Sequence, residues 1–299
     1  MKYQIYRKKE KKKIVLWRGL TAVFIGLYAV FFFYSHFFAV AAPNLANYFL
    51  NVLPEDVESI NKLSKNDVLI FTPAQILLHQ WIIQEIKQNN PDVIILAYIP
   101  SQSYNTLHNP NDPIFKNMFI RDDWWLKDIN QNKISHWTNI SLINMSESWS
   151  DYLVGFLNER VCSLPGVNGT FYDMVSDNID WVKRDIDLNG DRLVDSWSEA
   201  NKIWRNRTKY LLDSSRAKLN TKYIIINGVS NISFQTEING RMFETFPTPW
   251  EGDGKWSATM NSASRLKNSN QKPQIYIFNS NTDNLGNNNN FKKMRFGLA

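Results

Sequence analysis

Two carboxylates stand at the ends of runs that read as buried strands. Asp173 closes GTFYD and Glu244 follows RMF. A charge in such a place is costly unless it is paired or used. Acids on the ends of different strands of one barrel converge on a single bond. Glycoside hydrolysis needs such a pair, one acting as general acid and the other as nucleophile or base. The plainer reading of each is a rim carboxylate paired with Lys or Arg. Tyr98, Asn144, Asn227, Asn279 and Asn281 are candidates for binding sugar hydroxyls. Trp124, Trp125, Trp137, Trp149, Trp250 and Trp256 lie in or near loops, and an indole face packs on the C–H face of a sugar ring. Of these, Trp124, Trp125 and Trp250 are taken as sugar platforms. The competing role for the Trp residues is covering the seam between helices and barrel.

Other chemistries find little support. The four His never fall at metal-ligand spacing, which argues against a zinc hydrolase. No GxSxG elbow is present. No GxGxxG follows a strand and there is no GxxxxGK[ST], so no nucleotide cofactor is expected. The single cysteine, Cys162, has no His near it in sequence and reads as inert. The segment DIDLNGDRLVD at 185–195 carries a separate signal. Counting from Asp187, oxygen ligands fall at positions 1, 3, 5 and 9: Asp187, Asn189, Asp191 and Asp195, with the Leu193 carbonyl at 7. That is the spacing of a calcium loop, although Arg192 replaces the glycine at position 6. No cofactor is required for the expected chemistry, and a structural calcium is one of two readings of this loop. The alternative is an acidic turn capping a helix at Ser196.

The elements that must position these residues follow from periodicity. Runs of β-branched and aromatic residues at Leu45–Leu50, Val68–Thr72, Val93–Ile99, Ser141–Met145, Gly169–Asp173, Tyr223–Asn227, Arg241–Phe246 and Gln274–Asn279 are mostly continuous rather than alternating. That pattern predicts strands covered on both faces, hence a parallel sheet. Helical patterns fall between them at Pro54–Leu63, Pro73–Lys87, Trp149–Val161, Ser196–Leu219 and Gly254–Lys267. The alternation predicts an α/β chain folded as a (β/α)8 TIM barrel over residues 43–299. In such a barrel the strands' C-terminal ends build the active site. The run Ser141–Met145 also fits an insertion, which would leave seven wall strands. The closing FKKMRFGLA reads as the opening of a helix, so the barrel is expected to be incomplete at its C-terminus.

The 299 residues are 43% hydrophobic and 21% charged, a globular composition. The net charge of +6 is concentrated in residues 1–19, where eight bases face one acid, Glu10. The remainder is near neutral, which argues against nucleic acid as a partner. Residues 20–42 (LTAVFIGLYAVFFFYSHFFAVAA) hold no Lys, Arg, Asp or Glu. About twenty apolar residues suffice to span a bilayer, and a basic flank stays in the cytoplasm. The expectation is one N-terminal transmembrane anchor, or a signal helix cleaved after Ala39-Val40-Ala41, with the barrel outside the cytoplasm.

The strings DWWLKD (123–128), INMSESWSDYL (143–153), GTFYDMV (169–175), DIDLNGD (185–191), YIIING (223–228), GRMFETFPTPWE (240–251), YIFNSN (276–281) and FKKMRFGLA (291–299) together resemble the hypothetical glycosyl hydrolase-like family 15. More remotely the chain looks like the endo-α-1,4-polygalactosaminidase-type barrels. The resemblance implies an extracellular (β/α)8 glycoside hydrolase acting on a polysaccharide or oligosaccharide. In the remote relatives an acid ends strand 4 and another ends strand 6, which carries over onto Asp173 and Glu244. The rival from another class is a non-catalytic carbohydrate-binding protein on a degenerate barrel.

Overall fold

A computed structural model describes residues 44–107, 120–219, 222–230, 232–250 and 254–279. The basic and apolar N-terminal segments and the closing FKKMRFGLA lie outside these residues. Among the described residues no helix is long and apolar enough to cross a membrane.

The chain runs β1 (Ala46–Tyr48), α1 (Val57–Leu63), β2 (Val68–Phe71), α2 (Pro73–Leu78), α3 (Gln80–Asn89), β3 (Ile94–Pro100), β4 (Ser103–Asn105), β5 (Ser135–Trp137), β6 (Ile140–Leu142), α4 (Glu147–Phe156), β7 (Gly169–Val175), α5 (Trp197–Leu219), β8 (Tyr223–Gly228), β9 (Gly240–Phe243), α6 (Trp256–Leu266) and β10 (Ile277–Phe278). Seven strands form one parallel sheet in the order β1-β2-β3-β7-β8-β9-β10. Both faces are buried, which is why the strands read as continuous apolar runs.

Alternation along each strand sorts the two faces. Tyr48, Ile70, Leu96, Phe171, Ile225, Met242 and Ile277, one from each strand, meet in a single apolar cluster. One face of all seven strands gathers in this way when the sheet curls into a barrel. The intervening residues, among them Leu69, Phe71, Ile95, Ala97, Tyr172, Ile224 and Ile226, pack outward with Ile60, Ile82, Ile83, Leu153, Trp204 and Leu211 of the helices. The two edge strands approach each other: Ala46 and Tyr48 of β1 and Ile277 and Phe278 of β10 line one cavity of about 260 Å³. The barrel is thus nearly closed.

Seven wall strands stand among the described residues, the number expected if Ser141–Met145 is an insertion. The run Ser141–Met145 does not join the wall. Its strand β6 pairs antiparallel with β4 and β5 in a separate three-stranded sheet inserted after β3. The helix expected over Pro73–Lys87 is two helices, broken at His79. Thr72 and Gln75 form a capping box at the start of α2. The Gln75 amide also donates to the carbonyls of Phe49 and Asn51, pinning the chain just past β1.

Gly240 opens β9 at φ 150°, and a Cβ there would sit 1.9 Å from the Ile275 carbonyl oxygen. A side chain must therefore push β9 from its neighbour. Gly240→Ala is expected to lower unfolding stability by about 1–3 kcal/mol, read from urea unfolding followed by tryptophan fluorescence.

Candidate active site

The parity that fills the barrel also furnishes its mouth. One step of two residues beyond five of the interior positions lies a polar group or an aromatic hydroxyl. Leu96 leads to Tyr98, Phe171 to Asp173, Ile225 to Asn227, Met242 to Glu244 and Ile277 to Asn279. All stand at the C-terminal ends of parallel strands, where a barrel carries its site. The backbone turns sharply at two of these points. Met174 and Thr245, directly after the two acids, have φ 59° and 52°. Residues other than glycine rarely occupy that region, and a β-branched Thr does so at a cost.

Asn227 joins the two acids. Its Nδ2 donates to Asp173 Oδ1 at 2.9 Å and to Glu244 Oε2 at 2.8 Å. Sharing one nitrogen, the two oxygens are no farther apart than about 5.7 Å, the length of the two bonds laid end to end. Asp173 receives two further bonds, from its neighbour's Met174 N–H to Oδ1 and from the Tyr98 hydroxyl to Oδ2, both at 2.8 Å. All of these need its oxygens as acceptors. Its carbonyl is fixed by the N–H and hydroxyl of Ser101. Among the described residues neither acid is in a salt bridge, so the rim ion pair weighed as the plainer reading is not formed.

A cleft of about 480 Å³ opens on the Asp173 side. Asp173, Tyr98 and Met174 line it from the barrel, and Tyr104, Ile140 and Trp137 from the inserted sheet. Trp137 is 50% exposed. It shares this cavity with the candidate carboxylate Asp173. Tyr48 was missed. It ends β1, packs edge-on to Tyr98 with ring centroids 5.4 Å apart, and feels the charges of both acids. Burial, then the Asp173 charge, pushes the Tyr48 and Tyr98 phenols well above the ordinary tyrosine range. Its place on the interior parity of the first strand run was the available signal.

Other predicted residues lie elsewhere. Trp124 and Trp125 are buried and offer no free platform. Trp124 packs on Trp149 and Tyr152 and donates to Ser148 Oγ, while Trp125 packs edge-on to Tyr104 beneath the Lys133 ammonium. Asn144 bonds the Asp123 carbonyl. With Trp125 and Arg207 it lines a separate cavity of about 710 Å³ that does not include the acids. Trp250 is exposed on the loop after Glu244. Asn279 lines the seam cavity beside Tyr48, and its backbone bonds Phe243 and Phe246.

The Asp187 loop closes on itself. Asp187 accepts from the N–H groups of Gly190, Asp191 and Arg192, Asp191 accepts from Asn189 and from the Leu193 N–H, and Asp195 accepts from the Leu188 N–H. Among the described residues no three His, Cys, Asp or Glu are grouped to hold a metal ion. Cys162 is buried, which pushes its thiol up to about 11.

A family model of a hypothetical glycosyl hydrolase family, family 15, matches residues 87–299. The chain belongs to the hypothetical glycosyl hydrolase family 15. No curated protein matches this family member. Among solved structures, the glycoside hydrolase domain of PelA from Pseudomonas aeruginosa is 11% identical, with a TM-score of 0.51 over 79% of this chain and 83% of its own. The GH36 alpha-galactosidase AgaA from Geobacillus stearothermophilus is 9% identical, with a TM-score of 0.44 over 86% of this chain and 41% of its own. At 11% identity the likeness to the PelA domain extends to the fold alone.

The raised phenols of this family member carry a pH signature. A group whose folded pKa lies above its unfolded value supports the fold below the unfolded value, and that support is lost as pH rises. Stability should therefore fall above about pH 10, by up to about 1.4 kcal/mol per pH unit for each such phenol. Tyr98→Phe is expected to flatten this slope relative to wild type, read from urea unfolding at pH 8, 10 and 11.

Proposed function

We propose that the protein is a glycoside hydrolase that cleaves O-glycosidic bonds of an extracellular or cell-surface polysaccharide. The observation that carries this reading is the single Asn227 amide donating to two carboxylates at the mouth of one barrel. Asp173, held by three donors that all require acceptor oxygens, suits the nucleophile. Glu244 bonds Asn227 and sits half-buried, and suits the proton donor.

The reaction runs in two steps. Asp173 attacks the anomeric carbon while Glu244 protonates the departing oxygen, which breaks the C–O bond. Glu244 then takes a proton from water, whose oxygen displaces Asp173 from the sugar. Carboxyls about 5–5.5 Å apart belong to retention, and about 6.5–9.5 Å to inversion. The bound of about 5.7 Å between the nearest oxygens favours retention. Trp137 supports a stacked sugar ring on the Asp173 side. The basic and apolar residues 1–42 support export of the barrel.

The test is digestion of a glycan panel, scored by new reducing ends. Glu244→Gln is expected to lower kcat by about 10²–10⁴-fold. Asp173→Asn should abolish turnover while glycan binding persists, and the cleaved bond should show retained anomeric configuration by NMR. A protein that only binds glycan would cleave nothing on the panel and would bind equally well in wild type and in both variants.

Asn227→Ala removes the donor between the acids. It should lower kcat by about 10-fold or more with little change in KM, since the amide positions the carboxylates rather than the glycan.

A further inference from the structure

We propose that Gln102 is a positioning residue for Asp173, its carboxamide standing in for a strand partner where β7 leaves the barrel. The kinetic consequence rests on the hydrolase reading, but the structural part does not. Three consecutive polar residues, Ser101, Gln102 and Ser103, follow β3 and are at most 2% exposed. Each engages the turn that carries Asp173. Ser101 holds the Asp173 carbonyl with its N–H at 3.0 Å and its hydroxyl at 2.8 Å. Ser103 donates to the Met174 sulfur. Gln102 takes both backbone groups of Ser176, its Oε1 accepting from the N–H at 3.2 Å and its Nε2 donating to the carbonyl at 3.0 Å.

The turn needs such a partner. Tyr172 pairs with Ile226 and Val175 with Gly228, so Asp173 and Met174 together face Asn227 alone. That is a β-bulge, which re-aims a side chain by disrupting the ladder. It falls at the candidate nucleophile and includes the left-handed Met174. On the other side, β3 makes its last pair with β7 at Pro100 and Asp173. Beyond that pair the Gln102 amide supplies the bonds to the β7 chain. Its second proton goes to Thr208 Oγ1 at 3.1 Å. That hydroxyl and the Trp204 indole N–H, both of α5, donate to the same Ser176 carbonyl at 3.2 and 3.1 Å. The orientation of the carboxamide is fixed, because only its oxygen can accept from the Ser176 N–H. A buried polar group satisfied in this way rigidifies what it holds. Gln102 does not line the cleft, so it acts on Asp173 only through the chain. Without its amide the bulge loses its clamp on one side, and Asp173 drifts from the Asn227 amide.

The full chain carrying 15N-labelled asparagine gives a readout independent of activity. The Asn227 side-chain NH2 signals, assigned by their loss in Asn227→Ala, report the bond to Asp173. Gln102→Met keeps the length of the side chain and removes all three amide bonds. It should shift the Asn227 signals, whereas Ile60→Ala, a core truncation in α1, should leave them in place. On the first glycan that wild type cleaves, Gln102→Met should lower kcat by about 10-fold or more at unchanged KM, and Ile60→Ala should not. Unmoved Asn227 signals in Gln102→Met, a shift that Ile60→Ala reproduces, or an unchanged kcat overturns the proposal. If Gln102→Met does not fold, Thr208 decides. Thr208→Val keeps the shape but removes the hydroxyl that orients the amide and should shift the Asn227 signals, while Thr208→Ser keeps the hydroxyl and should not. Signals unmoved in Thr208→Val then overturn the proposal. Shifted signals in a protein that cleaves no glycan would sink the hydrolase reading and leave the clamp on Asp173 standing.

Discussion

Two acids within about 5.7 Å of each other repel when both are ionised, and everything at the barrel mouth depends on how that repulsion is met. For unit charges about 5 Å apart the cost is about 3 kcal/mol at an effective dielectric near 20. One side-chain amide stands between them. A hydrogen bond to a charged group contributes about 1.5–3 kcal/mol, so two such bonds from Asn227 are of the size needed to offset the repulsion. A leucine of similar size would leave both carboxylates facing each other without a donor. The amide also fixes distance, because it cannot serve both oxygens unless they lie within two bond lengths of one nitrogen.

That constraint reaches down the strands. Asn227 meets both acids because β8 lies between β7 and β9 in the sheet. The stagger is set by register, with Tyr172 opposite Ile226 and Asn227 opposite Met242. A slip of one residue in β8 would turn Asn227 outward among the helices and bring Ile226 to the mouth. Gly240 permits the close approach of β9 to the chain before β10, which keeps Glu244 at its height. The left-handed residues Met174 and Thr245 take the chain away immediately after each acid, so neither side chain is covered by its own strand. Strain of about 1–3 kcal/mol at such positions persists only where the surroundings enforce it. At Met174 they are visible: its N–H bonds the Asp173 carboxylate and its sulfur accepts from Ser103.

Much of this was legible in the sequence, and for a physical reason. Burial on both faces writes strands as continuous apolar runs, and a polar residue closing such a run is conspicuous. Asp173, Asn227 and Glu244, which the structure brings together, each close a run in that way. Tyr48 was missed, because an aromatic hydroxyl does not interrupt an apolar run. The tryptophans misled for a related reason. Loop position says nothing about burial, and the insertion after β3 buries its apolar side chains in the same core as the helices. Trp124 packs there against Trp149 and Tyr152 of α4, and Trp149 donates to the Ser101 carbonyl. Composition alone cannot distinguish those rings from Trp137, which the same insertion turns toward the cleft.

The buried tryptophans and the exposed one are therefore parts of a single device. A three-stranded sheet of three-residue strands has little stability by itself. Here it is fastened on two sides. Trp124 and Trp149 tie it to α4, and Arg207 of α5 donates to the carbonyls of Asn144 and Leu188, joining the insertion to the Asp187 loop. Burial lowers the Arg207 pKa from its ordinary value, and the charges of Asp195 and Glu147 oppose that shift. A guanidinium spent on two carbonyls makes a rigid brace. Rigidity is what a stacking wall needs, since a ring that must be ordered on binding gives back part of the contact energy as lost entropy. The inserted sheet thus holds Trp137 on the wall of the same cleft that Asp173 lines from the barrel.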